Sequence, residues 1–259
     1  MTLVLFEQAG RVGRITLTRP QAGNSVTPEL IDDLAAAVDA ATQSPSRAIV
    51  VCAQGANFCL GADVRHLAAS EDRLASELKQ MADGFHAAQV RLAALPAPIV
   101  AAVRGAAVGG GFGLALTSDF LFCSDDARFS TGYARLGLSA DAGVSLFLTQ
   151  ALGLRRARAL LIDPRFISAP EALELGLAHR TAPADQIDAI AFDFAQTLAE
   201  GPTSAFAAVK RLTAAAMGSD GLRAHLDRET LEIVALAERA DVAAALRGAL
   251  DKTKPVFDR

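Results

Sequence analysis

The chain has 259 residues, 51% of them hydrophobic and only 5% aromatic, and its formal net charge is −4 with a pI near 5.6. A chain of this length buries a sizeable aliphatic core unaided, and its scattered cations offer no basic field for nucleic acid. Cys52, Cys59 and Cys123 are odd in number and lack CxxC spacing, which argues against a disulfide framework or a zinc site.

Buried thiols are the expectation, with Cys59 kept as a candidate reactive thiol because it borders a glycine turn. No metal-ligand spacing occurs anywhere in the chain. The opening residues Met-Thr-Leu-Val-Leu-Phe-Glu lack the basic and apolar regions of a signal peptide, and no apolar run approaches membrane-spanning length. A cytoplasmic protein without membrane or nucleic-acid partners is expected.

Alternating runs at 3–7 and 12–18, around Gln8-Ala9-Gly10-Arg11, predict a hairpin. Thr27 as cap and Pro28 in the first turn start a helix to about Thr42, with Ile31, Leu34, Ala35 and Val38 on one face and Asp32, Asp33 and Asp39 on the other. Residues 47–53 read as a buried strand, and the order strand, strand, helix, strand points to an α/β arrangement. Residues 54–63 form a loop turning at Gly55 and Gly61, and 66–95 reads as mostly helical with a solvated or mobile charged part at 70–79.

The most informative stretch is 95–119. A proline bracket opens it, Ile99 to Val103 is short enough for a buried strand, and Gly109, Gly110 and Gly111 sit where a helix should start. Three glycines cost backbone entropy, so either something approaches the main chain there or the helix packs tightly on the strand. Unpaired N–H groups at a helix start can hold a developing negative charge. Short strands follow at 120–123 and 128–130, then a helix at 144–152 stopped by Gly153, another at 155–162, and a short one begun by Ser168-Ala169-Pro170-Glu171. A last strand is read at 179–182. Beyond Pro183 only alanine-rich amphipathic helices are read, at about 184–200, 203–217, 221–238 and 241–252, which divides the chain into a core of 1–183 and a helical region of 184–259.

Two glycine turns, Phe58-Cys59-Leu60-Gly61-Ala62-Asp63 and Val108-Gly109-Gly110-Gly111, each follow a strand. On adjacent parallel strands they would share one sheet edge, where α/β proteins place ligands, and two backbone N–H groups could converge on one oxygen. Together with the Ile15 to Pro20 run, Asn24, Leu136-Gly137-Leu138, Asp141 and the 172–177 run, these turns make nearly the whole chain resemble the crotonase, or enoyl-CoA hydratase/isomerase, family. The resemblance implies an α/β spiral of ββα units, with a C-terminal helical region that trimerises and usually forms a dimer of trimers. It implies an acyl-CoA thioester as substrate, CoA being part of that substrate and no separate cofactor being needed. It places the oxyanion hole at the backbone N–H groups of Ala62 and Gly110, and the CoA-wrapping positions at Ala22, Asn24, Ala62, Asp63 and Val64, with Gly109 beside them.

Departures from the family pattern carry the chemistry. The two glutamates that split water in hydratases of the family fall here on Gly113 and Tyr133. Glycine moves no proton, and a tyrosine with a reference pKa near 10 is a poor base at neutral pH. Asp141 falls where isomerases of the family carry a catalytic aspartate, closest in pattern to the 1,2-epoxyphenylacetyl-CoA isomerase group, and where the chlorobenzoyl-CoA dehalogenases carry a nucleophile. Read on its own, without the resemblance, Asp141 is a cap for a helix beginning near Ala142. Tyr133 is either an aromatic wall of the acyl pocket or a proton donor. His66 and His86 either reach the pocket mouth or are solvated on a surface helix, and His179 and His225 carry no partner signal. The expected activity is acyl-CoA isomerisation through an oxyanion-stabilised enolate with one aspartate base; a hydratase with non-standard acid and base residues, or a non-catalytic acyl-CoA binder, stands as the alternative.

Overall fold

The structure is a computed structural model that describes residues 2–215 and 221–253. The expected helix end at Met217 and the tail from 254 to 259 lie outside the described residues. A hairpin of β1 (Val4–Ala9) and β2 (Val12–Leu17) opens the chain. Its turn is tighter than the sequence suggests: β1 runs on to Ala9, and Gly10 supplies the left-handed φ of +62° that a two-residue turn requires.

Helix α1 (Pro28–Gln43) starts at Thr27, whose side chain accepts from Leu30 N, and it buries Ile31, Leu34 and Val38 as the periodicity predicts. Then come β3 (Ala48–Ala53), α2 (Val64–Ala69) and α3 (Leu74–Ala93). The charged 70–79 segment is not simply solvated, because Leu74, Glu77 and Leu78 on the first turns of α3 are buried. Next are β4 (Ile99–Val103), β5 (Ala106–Val108) and α4 (Gly110–Leu116), followed by β6 (Phe120–Ser124) and β7 (Arg128–Ser130). Helix α5 (Val144–Ile162) is broken at Gly153, with φ 73° and ψ 161°, as its glycine predicts. The remaining elements are β8 (Ile167–Ser168), α6 (Ala169–Glu174), β9 (Arg180–Ala182), α7 (Ile187–Glu200), α8 (Thr203–Ala215), α9 (Gly221–Ala237) and α10 (Ala240–Asp251).

The main sheet has the order β1-β2-β3-β4-β6-β9, parallel throughout except for the hairpin, and β5-β7-β8 form a second sheet. Successive strands therefore alternate between the two sheets, β4 then β5 and β6 then β7, which is the spiral of ββα units expected. β3 has no polar face because both of its faces are covered. Ile49, Val51 and Ala53 join the core with Leu34, Val38, Ala88 and Leu92, whereas Ala48, Val50 and Cys52 lie under Ile187, Ala191, Ala195 and Ala199 of α7. Alanine at three of these four α7 positions lets that helix seat closely on the sheet, which is where the alanine-rich composition finds its use. No helix among the described residues is long and apolar enough to cross a membrane.

Candidate active site

The site begins with strand register. β3 and β4 pair in parallel with Ile49 opposite Ile99, so the loops that leave them emerge at one edge. The first loop is zipped to the second: Phe58 N and Cys59 N donate to Ala106 O at 3.1 and 3.2 Å, and Val108 N donates to Cys59 O at 2.9 Å. Gly61 presses against this junction, where a Cβ would stand 2.8 Å from Val108 O. Across the bridge to Val26, Val26 N donates to Gly61 O and Asp63 N donates to Val26 O. Alternation along the backbone therefore turns Ala62 N away from Val26.

The three glycines of the second turn have three different reasons. Gly109 takes φ 53° and ψ −124°, a conformation that disfavours any side chain. Gly111 lies against the first loop, since a Cβ there would meet Cys59 O at 2.3 Å. Gly110 is under neither constraint, with its nearest neighbours 3.9 and 4.0 Å from a Cβ placed on it. Gly109 N donates to Ser130 O, and Gly113 N returns to Gly109 O, so the Gly110 N–H belongs to the first turn of α4 and has no intrahelical acceptor.

Ala62 and Gly110 line one cavity of about 390 Å³ together with Tyr133 and Asp141. Its walls are apolar, from Leu67, Leu78, Met81, Phe85, Leu138 and Ile233, and Ala245, Ala249 and Thr253 close it from α10 and the residues just after it. The 184–259 region thus contributes part of the wall.

Asp141 does not cap the helix that follows it. Its carboxylate oxygen Oδ1 accepts from the Tyr133 hydroxyl at 2.7 Å, and α5 begins at Val144 behind Gly143. The turn is held from elsewhere. Ala142 takes a left-handed φ of 54°, which costs a residue with a Cβ about 1 kcal/mol; its N–H donates to His86 Nε2 at 3.1 Å and its carbonyl accepts from Gln89 Nε2 at 2.8 Å. His86 is neither solvated nor at a pocket mouth: it is 2% exposed, and burial lowers its pKa to about 4, so it is neutral at neutral pH. The Thr230 hydroxyl donates to Leu226 O and lies 3.2 Å from His86 Nδ1, which fixes Nδ1 as the protonated nitrogen and Nε2 as the acceptor.

Burial raises the Asp141 carboxyl to about 7; the Tyr133 hydrogen bond opposes the rise and the Glu229 charge adds to it. Burial and the neighbouring Asp141 push the Tyr133 phenol well above its ordinary value, so it stays a donor. Asp141 Oδ2 lies 3.9 Å from His86 Nε2, too far for a hydrogen bond, and is the oxygen left to take a proton. Gly113 faces this turn. A Cβ on it would stand 2.3 Å from Ala142 O and 2.8 Å from Ala142 Cβ, so the present backbone has no room for an acid there.

Of the residues read as wrapping CoA, Ala62, Val64 and Gly109 lie on the cavity wall, whereas Ala22, Asn24 and Asp63 do not line it. Asn24 is completely buried and acts as a strut: its amide donates to Gln54 O and Asn57 O at 2.9 Å each and accepts from Arg19 N at 2.8 Å. Asp63 caps α2 through Arg65 N at 3.0 Å and pairs with Arg19 at 2.8 Å. Burial would raise its pKa, but the Arg19 bond and charge outweigh burial and hold it below its usual range. The reactive-thiol reading of Cys59 does not hold, because burial pushes that thiol up to about 12. His66, His179 and His225 all have partners: Glu77 at 2.7 Å, Leu121 N at 3.1 Å and Ser145 Oγ at 2.7 Å. Glu229 is the residue the sequence reading misses. It is 5% exposed and takes Gly143 N and the Ser145 hydroxyl at 2.7 and 2.6 Å. No local signal marks it, as its partners lie more than eighty residues earlier in the chain.

A six-stranded, largely parallel sheet spiralling against a second sheet, with two backbone amides and one part-buried carboxylate on the same cavity, is an arrangement that can hold an oxyanion beside a base. The sequence model described as Enoyl-CoA hydratase/isomerase matches residues 7–259. A Rhodobacter capsulatus protein named "Probable enoyl-CoA hydratase" is 32% identical over 98% of this chain and 97% of its own. The trans-2-decenoyl-acyl-carrier-protein isomerase of Streptococcus mutans is 26% identical over 98% and 97% of the two chains. The crystal structure of an enoyl-CoA hydratase from Mycobacterium avium subsp. paratuberculosis superposes with a TM-score of 0.85 at 28% identity, covering 99% of each chain. The chain belongs to the enoyl-CoA hydratase/isomerase, or crotonase, family.

Proposed function

We propose that the protein is an acyl-CoA isomerase that shifts a double bond, or rearranges an acyl group, through an enolate held by the Ala62 and Gly110 amides, with Asp141 as its base. The observation that carries this reading is the Asp141 carboxylate on the wall of the cavity those amides line, beside a Gly113 whose Cβ direction is blocked by Ala142 O. One carboxylate is what isomerisation needs, and two are what water addition in this family uses.

In this mechanism Asp141 Oδ2 takes a proton from a carbon made acidic by the thioester. The electron pair moves through the carbonyl carbon to its oxygen, where the Ala62 and Gly110 N–H groups donate to the new negative charge. Each such donor contributes about 3–4 kcal/mol to the barrier reduction. Asp141 then returns the proton to a different carbon, and no atom is gained or lost. Tyr133 holds Oδ1 and lowers the cost of the charged carboxylate, while neutral His86 fixes the Ala142 backbone and moves no proton. Apolar walls keep bulk water from the enolate. The 184–259 region serves assembly as a trimer or dimer of trimers, a role supported by Val209 and Leu212 on α8, exposed at 58% and 73%.

The test is incubation with crotonyl-, 3-hexenoyl- and phenylacetyl-derived CoA esters in oxygen-labelled water. Isomerised product without solvent oxygen is expected. A labelled 3-hydroxyacyl product would replace this reading with a hydratase, and tight binding without turnover across the series would replace it with a binder.

A further inference from the structure

Helix α9 buries Leu226, Glu229, Thr230 and Ile233 on one face, and that face packs on α3. Glu229 is the charged member of this face, and among the described residues its partners lie at the start of α5 and one turn back along α9. Its Oε2 accepts from Gly143 N at 2.7 Å, and its Oε1 accepts from Ser145 N at 3.3 Å and from Ser145 Oγ at 2.6 Å. His225 Nε2 lies 2.7 Å from Ser145 Oγ and 3.3 Å from Glu229 Oε1. This is not a nucleophilic triad, because the hydroxyl stands between the acid and the imidazole and its one proton goes to Glu229.

The arrangement resolves a conflict in the local sequence. A carboxylate just before a helix ordinarily turns back to satisfy the first free N–H groups, and Asp141 occupies such a position. Here two of the N–H groups at that start, those of Gly143 and Ser145, are taken by a carboxylate from another element. We propose that Glu229 is the positioning residue for Asp141: it caps α5 in place of Asp141 and so leaves the Asp141 carboxylate to face the cavity. This rests on the reading of Asp141 as the base.

Glu229 also places a second negative charge behind the Asp141 turn, which disfavours ionisation of Asp141. The ionisable groups facing Glu229 are His225 on its own helix, Asp141 and Tyr133 on the 133–141 segment, and His86 on α3; Asp83, Arg223 and Asp227 act on the same His86.

The chain carries its own probe, having one tyrosine and no tryptophan. That tyrosine, Tyr133, donates directly to Asp141, so its ultraviolet absorption and emission respond to the charge on Asp141. Titration of the tyrosine signal is expected to show an inflection near neutral pH that Asp141→Asn abolishes. Glu229→Gln keeps the shape and removes the charge and one acceptor; it should move the inflection down by about half a pH unit or more. On a turned-over CoA ester it should lower kcat about tenfold or more with KM within about twofold. Ser145→Ala, which leaves the Glu229 charge and its backbone bonds, should leave the inflection in place.

An inflection and kcat unchanged in Glu229→Gln would overturn the proposal, as would a shift in Ser145→Ala equal to that in Glu229→Gln. Should Glu229→Gln not fold, Glu229→Asp keeps the charge with a shorter reach. It is expected to retain the inflection and lose kcat about tenfold, and wild-type kcat there would equally overturn the proposal. Turnover surviving in Asp141→Asn would remove the base assignment, while the tyrosine titration still judges the hold of Glu229 on Asp141 by itself.

Discussion

The Tyr133 hydroxyl donates to Asp141 Oδ1 at 2.7 Å and reaches Asp141 O at 3.2 Å, so the one tyrosine of the chain is tied to the one carboxylate that the described residues place on the cavity. This pairing explains why a tyrosine can stand where hydratases of the family keep an acid. In the proposed mechanism its work is to steady that carboxylate.

Tyr133→Phe removes that donor and keeps the ring. Because the hydrogen bond favours the charged carboxylate, its loss sends the Asp141 pKa further up from about 7. The acidic limb of the rate profile should move to higher pH by about one unit, with turnover reduced severalfold at pH 7 and largely recovered at pH 9. A uniform loss across pH would instead make Tyr133 a proton donor in the reaction.

The glycines of α4 should respond unequally to alanine. Gly111→Ala and Gly113→Ala each bring a Cβ to within 2.3 Å of a backbone carbonyl, whereas Gly110→Ala meets nothing closer than 3.9 Å. Urea unfolding should show losses of about 1–3 kcal/mol or more for the first two and under about 1 kcal/mol for the third. Gly113→Glu should not create hydration, since the obstruction precedes the carboxylate.

Stability should carry the signature of two opposed titrations. The folded state keeps the Asp141 proton up to about 7 where the unfolded chain loses it near 3.8, so the contribution of this group falls as pH rises through that window. His86 acts in the other sense: its pKa falls from 6.5 to about 4 on folding, and its contribution falls as pH drops through that window. Thermal unfolding of Asp141→Asn should therefore give a higher Tm than wild type at pH 8, a difference that closes toward pH 4. A difference independent of pH would mean that Asp141 is not a strained acid.

Much of the scaffold is legible in the sequence because local chemistry decides it. Gly10 makes a hairpin turn, Thr27 and Pro28 start a helix, Gly153 breaks one, and the register of β3 and β4 brings the two glycine turns together. The failures come from contacts distant in sequence. His86 sits in a charged, helical stretch that reads as surface, but its partners are Ala142 and Thr230. β5 has only three residues and exists because Cys59 and β7 flank it. The cap reading of Asp141 is locally sound and is defeated by Glu229, whose carboxylate takes Gly143 N. The closeness of Gly113 to Ala142, which excludes a side chain there, is likewise a fact of packing that no local pattern contains.

The most direct test of the whole account is steady-state turnover of Asp141→Asn on an isomerised CoA ester, measured beside calorimetric binding of the same ester. The account predicts turnover reduced about a thousandfold or more, with affinity within a fewfold of wild type, because the amides and cavity walls are untouched. Turnover within about tenfold of wild type would contradict the assignment of Asp141 as the base.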